Sequence, residues 1–286
     1  MNPQKSVRLL EVLQGGTDFL KKNSIEQPRL HVEYLLAHVL GIPRLELYLQ
    51  FDRVLEEREL APLRLYLRKR SQGVPLQHLL GSVDFFGRNF LSDARALIPR
   101  PETEELVERA LTHKNIKHVL DVGTGSGVIA ITLGLENPEA EIEAIDLSLQ
   151  ALELAQENAV RHQVTRIRWH CGHLLQPLEQ AESMMPFDLI IANLPYIPRN
   201  EITSLAREIA FDPIMALDGG ESGLDLIDGL ITQAHKFLKP GGFLLLEVGK
   251  NQEQEVMQAL REHHYQEICA LPDRQGVLRF IEAVGP

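Results

Sequence analysis

The sequence predicts an open α/β fold, a mostly parallel sheet with helices on both faces, preceded by a small helical unit. Three observations carry that prediction. From His118 onward, short apolar runs alternate with helical stretches, as in a sheet whose parallel strands are joined by helical crossovers. The first of these runs ends in the glycine-rich turn Asp121–Gly127, at the carboxyl end of a strand, where such sheets bind ligands. Charge is also uneven: residues 1–75 carry 12 Lys/Arg against 9 Asp/Glu, a net of +3, while residues 76–286 carry 17 against 31, a net of −14. That asymmetry marks the first quarter as a separate unit.

The composition excludes several classes. With 286 residues, 44% hydrophobic and 24% charged, the chain suits one large domain with a small one, and neither a disordered nor a low-complexity chain. No apolar run approaches the ~18 residues of a membrane span, so no membrane partner is expected. The first residues lack the apolar core and cleavage site of a secretory signal. Cys171 and Cys269 are the only cysteines and form no paired motif, which excludes a disulfide framework and makes a reducing cytoplasm the expectation. A strongly acidic body is a poor match for a phosphate backbone, so direct nucleic-acid binding is not expected.

Within residues 1–75, Val32, Leu35, Leu36, Val39 and Leu40 form one helical stripe, opened by Pro28 and closed by Gly41. A second helix is predicted over Glu56–Ser71. Its basic end, Arg68, Lys69 and Arg70, either complements the helix dipole or offers a docking surface. Residues 76–97, with Gly81 and Gly87 around Phe85, Phe86 and Phe90, read as a hairpin linking two domains. Residues 98–286 form the second domain. It opens with a helix bearing Pro101 in its first turn and Glu102, Glu104 and Glu105 at its positive end. Strands are predicted at 118–122, 141–146, 166–171, 187–192, 242–248 and 277–283, with a weaker one near 266–271. Residues 150–161 are among the intervening helices.

Four groups of residues carry chemistry. Gly123, Thr124, Gly125, Ser126 and Gly127 make a turn between strand and helix, where glycine permits close backbone approach and helix N–H groups face a ligand. A GxGxxG dinucleotide fingerprint would need glycine at 128, and Val128 stands there. The spacing therefore favours an S-adenosylmethionine-type nucleotide site. Asp146, ending the second strand, is placed to accept hydrogen bonds from ribose hydroxyls. Asn193, Leu194, Pro195 and Tyr196 end the fourth strand, where amide and carbonyl oxygens can take the two hydrogens of a planar NH2 group while the tyrosine packs on its plane. His170, Cys171 and His173 have the look of zinc ligands, yet no fourth ligand is evident. No metal is expected, and His173 with Leu174 is assigned to the nucleotide pocket instead.

Taken with GVPLQHLLGSVDFFGRNF, LIPRPETEELVERAL, DPIMALDGGESGLD and LKPGGFLLLEVGKNQ, these motifs closely resemble the bacterial release-factor glutamine N5-methyltransferases, the HemK/PrmC family, over essentially the whole chain. The resemblance implies a class I S-adenosylmethionine-dependent methyltransferase domain with a seven-stranded, mostly parallel sheet whose last strand is antiparallel. It implies S-adenosyl-L-methionine as methyl donor. The acceptor would be the glutamine side-chain nitrogen in the Gly-Gly-Gln motif of peptide-chain release factors, with residues 1–75 as the substrate-docking domain. By motif match, Gly123–Gly127, Asp146, His173, Leu174 and Asn193 would hold the donor, and Asn193–Tyr196 the glutamine.

The chain departs from the family pattern twice. Leu194 replaces the usual first proline of Asn-Pro-Pro-Tyr; the role attributed to that position is a main-chain carbonyl, which leucine keeps, so Leu194→Pro is expected to be nearly silent. His173 replaces an acid often found near the adenine amine. Three other readings compete: an adenine-N6 nucleic-acid methyltransferase, a dinucleotide oxidoreductase and a non-catalytic donor-binding scaffold. The −14 body, Val128 and the presence of Asn193 count against them in turn.

Overall fold

The structure, a computed structural model, describes residues 7–179, 185–205 and 207–286. They form two compact units. The first comprises the residues up to Ser82 together with Arg207–Phe211, a short return that lies inside the span expected to be the second domain.

Helices α1 (Leu9–Lys22), α2 (Pro28–Leu40), α3 (Glu57–Ser71) and α4 (Leu76–Leu80) build the first unit, with a two-residue ladder of β1 (Val7–Arg8) and β2 (Val54–Leu55). The predicted stripe works as expected: Val32, Leu35 and Leu36 are buried with Leu9, Leu13, Leu20, Leu63 and Leu67. Pro28 occupies the first turn of α2, and Gly41 closes it at φ 64°, a conformation that favours glycine. At the start of α3 the Glu59 carboxylate accepts from the Glu56 backbone N–H at 2.8 Å, which satisfies one of the orphan donors there.

The basic cluster at the end of α3 divides. Arg70 is fully buried, donating to His31 Nδ1 at 3.1 Å and the Val74 carbonyl at 3.2 Å, and it ion-pairs with Glu208 of the returning segment. Only Arg68 and Lys69 are exposed. Arg70 is thus a core residue and cannot contribute to a docking surface.

The second unit begins in a hairpin of β3 (Ser82–Phe85) and β4 (Arg88–Leu91), turned by Phe86 and Gly87 at φ 51° and 70°. Helix α5 (Pro101–Ala110) follows. The sheet then uses β5 (His118–Val122), β6 (Glu141–Asp146), β7 (Ile167–Cys171), β8 (Phe187–Ala192), β9 (Leu238–Glu247), β10 (Gln266–Pro272) and β11 (Leu278–Val284). Its order is β10-β11-β9-β8-β5-β6-β7, with β11 antiparallel to both neighbours and β5 to β9 mutually parallel. This is the class I methyltransferase arrangement.

Helices α5, α6 (Val128–Glu136) and α7 (Leu149–Arg161) cover one face; α8 (Asp225–Ala234) and α9 (Glu253–Glu262) cover the other. The chain starts at the central β5, runs out to the edge at β7, then returns to β8 on the other side of β5. The crevice where the strand order reverses therefore opens beyond the carboxyl ends of β5 and β8, which positions the site.

Candidate active site

One cavity occupies that crevice. The ends of β5 and β6 form one side of it. Gly123 and Gly125 sit at φ 75° and 56°, where a side chain would be strained. Asp146 ties this turn to the start of α7: one carboxylate oxygen accepts from Gly125 N–H and the other from Ser148 N–H, both at 2.8 Å. Burial raises its carboxyl pKa, opposed by those N–H donors. A carboxylate offers about four lone-pair sites, so two N–H donors leave capacity for two more, as a ribose diol requires.

Beneath the turn, Asp121 is fully buried. Its Oδ2 accepts from the Thr124 hydroxyl at 2.6 Å and from Ala130 N–H at 3.1 Å, while Oδ1 has no hydrogen-bond partner among the described residues. Burial pushes this acid up to about 7, with Asp146 adding to the effect. Asp121 does not line the cavity; it braces the glycine turn from below by tying Thr124 to the start of α6. Ile145, Leu147, Ala151 and Leu174 provide apolar walls beside Asp146. A nucleoside fits this donor set.

The ends of β8 and β9 form the other side. Asn193 Nδ2 donates to Thr103 Oγ1 at 2.9 Å, and that hydroxyl donates to Glu247 Oε2 at 2.9 Å. Thr103 and Glu247 are both buried. Burial pushes Glu247 up to about 7; the Thr103 hydrogen bond opposes this and Glu102 reinforces it. The turn after Asn193 is braced from behind. A Cβ on Gly219 would lie 2.8 Å from both the Pro195 carbonyl and Tyr196 Cα, so only glycine allows the 219–223 loop so close. Gln252 Nε2 donates to the Tyr196 carbonyl at 2.9 Å. At the rim, Asp212 accepts from Ile98 N–H at 3.2 Å and from Arg100 at 3.0 Å, joining the IPRP segment to the 212–216 segment.

Gly123, Thr124, Gly125, Ser126, Asp146, His173, Leu174, Asn193, Leu194 and Pro195 all line the cavity. Gly127 and Tyr196 do not. Gly127, at φ 81°, faces Ala155 of α7, where a Cβ would come within 3.2 Å of backbone, so it serves helix packing. Tyr196 packs beside the core on the α8–α9 side, its phenol pushed up to about 12 by burial and the nearby Glu247 charge.

The expectation that Leu194→Pro is silent needs correction. Leu194 is buried, and a Cβ on Gly123 would lie 2.8 Å from its Cδ2, so its side chain packs against the glycine turn. Proline cannot fill that volume. The two histidines of His170–His173 diverge: His170 Nε2 meets Glu143 at 2.6 Å, whereas His173 lines the cavity. Among the described residues no cluster of three metal-ligating side chains occurs.

The sequence reading did not single out Thr103, Glu247, Arg100 or Asp212 as site residues. One signal was available for Glu247, a carboxylate closing the apolar run GFLLLEV at a strand's carboxyl end.

Comparison with known proteins agrees with this geometry. Residues 11–81 match the family model described as PrmC N-terminal domain, and residues 113–278 one described as a methyltransferase domain. The chain is 36% identical over 273 residues to the release factor glutamine methyltransferase of Geobacter sulfurreducens, covering 95% of this chain and 94% of that one. It is 37% identical to the protein of the same name from Vibrio cholerae, covering 95% and 94%. Among solved structures, a methyltransferase from Pyrococcus furiosus shares the fold at 15% identity and a TM-score of 0.52, covering 70% of this chain and 90% of that one.

Proposed function

The chain belongs to the release factor glutamine methyltransferase family, and from that premise we propose that it methylates the side-chain nitrogen of a release-factor glutamine. The methyl donor is S-adenosyl-L-methionine, and the glutamine is that of the Gly-Gly-Gln motif. The observation that carries this reading is a single cavity lined both by the Gly123–Ser126 turn with Asp146 and by Asn193 with Leu194.

In its bound state the donor supplies a methyl group on a positively charged sulfur, so that an N–C bond forms as the C–S bond breaks and the amide afterwards loses one proton. The remaining work falls to the chain. Asp146 and the glycine turn bind the nucleoside end, with His173 and Leu174 flanking it. Asn193 Oδ1 and the Leu194 carbonyl accept the two amide hydrogens of the glutamine. A carboxamide nitrogen is a poor nucleophile because its lone pair is delocalised. Acceptors on both hydrogens hold it in line and stabilise the positive charge that develops there, without a strong base. Pro195 stiffens the turn, and Tyr196 supports it from outside the cavity.

The first unit is read as the docking surface for the release-factor body. Its support is the +3 balance and the apolar side chains it leaves in solvent, Leu45 at 72% and Leu49 at 86% exposed. No helix of the described residues is long and apolar enough to cross a membrane. A cytoplasmic location follows from the substrate, without direct nucleic-acid binding.

The test is methyl transfer from labelled donor to a purified release factor, with the modified residue located by mass spectrometry. Label on the Gly-Gly-Gln glutamine is expected. Label on adenine of added nucleic acid, with none on the release factor, overturns the reading.

A further inference from the structure

Asn193 is attached to a buried chain of hydrogen bonds that the methyl-transfer reaction does not itself require. The chain joins three separate parts of the fold: Asn193 after β8, Thr103 in α5 and Glu247 at the end of β9. The contacting pairs lie 90 and 144 residues apart in sequence.

Its polarity follows from counting hydrogens. An ionised carboxylate only accepts, and a hydroxyl has one hydrogen to give. With Glu247 ionised, that hydrogen goes to Glu247 Oε2, and Thr103 Oγ1 is left with lone pairs toward Asn193. Only the NH2 end of the asparagine amide satisfies them. Turned over, the amide would set oxygen against oxygen at 2.9 Å with no hydrogen between. This contact holds the NH2 end inward and leaves Oδ1 on the other side.

We propose that Thr103 and Glu247 are positioning residues that lock the Asn193 amide with its oxygen toward the cavity, so that the site accepts an N–H donor there. This rests on the methyl-transfer reading above, in which Oδ1 receives a glutamine hydrogen.

A pH dependence follows. Glu247 is pushed up to about 7 by burial. The charged groups facing it are Glu102 of α5, which raises it further, and Arg279 of β11, which opposes it. Tyr196 also faces it and stays neutral, its own pKa being about 12. A proton on Glu247 Oε2 makes that oxygen a donor to Thr103; the Thr103 hydrogen then turns to Asn193, which accepts it by presenting Oδ1 inward. The NH2 group now meets the substrate NH2, donor against donor. The ionised form is the competent one, so activity is present above the Glu247 pKa and lost as pH falls through it.

The experiment compares the full-length wild type with Thr103→Val, Thr103→Ser and Glu247→Gln from pH 6 to 8.5, measuring transfer to intact release factor. Calorimetry gives donor affinity, and the Asn193 side-chain NH2 signal is followed by nitrogen-15 NMR. The wild-type kcat/KM should rise with pH around 7, and the NH2 signal should shift over the same range. Thr103→Val should lose about 100-fold in kcat, with donor affinity unchanged, and Thr103→Ser should restore it. Glu247→Gln should abolish the titration of the NH2 signal and flatten the rise of the rate with pH relative to wild type, whatever rate it retains.

Wild-type rate and pH profile in Thr103→Val, failure of serine to restore activity, or an NH2 signal that does not titrate would each overturn the positioning role. A titrating NH2 signal in a protein that methylates no release factor would instead sink the functional reading and leave the lock standing.

Discussion

The two sides of the cavity are built differently. At the ends of β5 and β6, the polar framework is largely main chain: Asp146 is held by the N–H groups of Gly125 and Ser148, and Asp121 by Thr124 and the Ala130 N–H. At the ends of β8 and β9 it is side chain on side chain, Asn193 to Thr103 to Glu247. A backbone framework presents fixed donors and acceptors to a donor molecule that is the same in every turnover. A side-chain chain sets the polarity of a single amide, which is what discrimination among acceptor groups needs. Binding of the methyl donor and handling of the acceptor should therefore be separable by mutation.

The largest effect expected is at Asn193. Asn193→Ala should lower kcat/KM by about 100- to 1,000-fold, the scale of losing one directed group at a reacting centre, while calorimetric donor affinity stays within a few-fold. An equal loss of donor affinity would break the division between the two sides.

Leu194 joins the two sides, since its side chain packs on the Gly123 turn. Leu194→Ala should destabilise the second unit by about 2–5 kcal/mol, the range for buried leucine truncations, read as a fall in the denaturant midpoint. Donor binding should weaken with it, although Leu194 keeps its carbonyl. A purely local role would leave donor affinity untouched.

Asp146→Asn sharpens the contrast from the other side. It sets an NH2 group against a backbone N–H donor and should weaken donor binding by about 1.5–3 kcal/mol, with kcat at saturating donor little changed. A fall in kcat with donor affinity intact would reverse the assignment of the two sides.

The smallest effect is expected at Gly127. Forcing a Cβ into its left-handed backbone costs about 1–2 kcal/mol, and the Ala155 contact adds to it. Gly127→Ala should thus lower thermal stability while leaving both KM values near wild type. A large rise in donor KM would return Gly127 to the binding residues.

The same contrast explains what the sequence disclosed. Glycines at 123, 125 and 127 with Asp146 twenty-one residues past Gly125 are local and periodic, and each is needed for a backbone reason readable from chain geometry. The alternation of strand and helix was equally legible, down to the weak strand at Gln266–Pro272. Thr103 looked like one polar residue in an acidic first helical turn, because its partner arrives 144 residues later at the end of another strand. Arg70 read as a solvated helix end, and only the fold shows it buried against Glu208. Gly127 and Tyr196 belong to recognisable motifs, yet they face packing neighbours and not the cavity. Pattern locates the turns; which way each side chain faces depends on contacts the pattern does not carry.

The buried Arg70 bears on the timing of synthesis. Its acidic partner Glu208 is made 138 residues later, and at ribosomal speeds of roughly 5–20 residues per second that interval is on the order of ten seconds. Through that interval the first unit has its helices but lacks the carboxylate for its buried guanidinium, with only neutral acceptors from His31 and Val74. A buried charge without a counter-charge is strongly disfavoured, so the earliest part of the chain to emerge is not the earliest to be finished. Nascent chains arrested before Glu208 has emerged should leave α3 open to protease, and chains long enough to expose it should close. Equal protection at both lengths would show that the first helices settle without waiting.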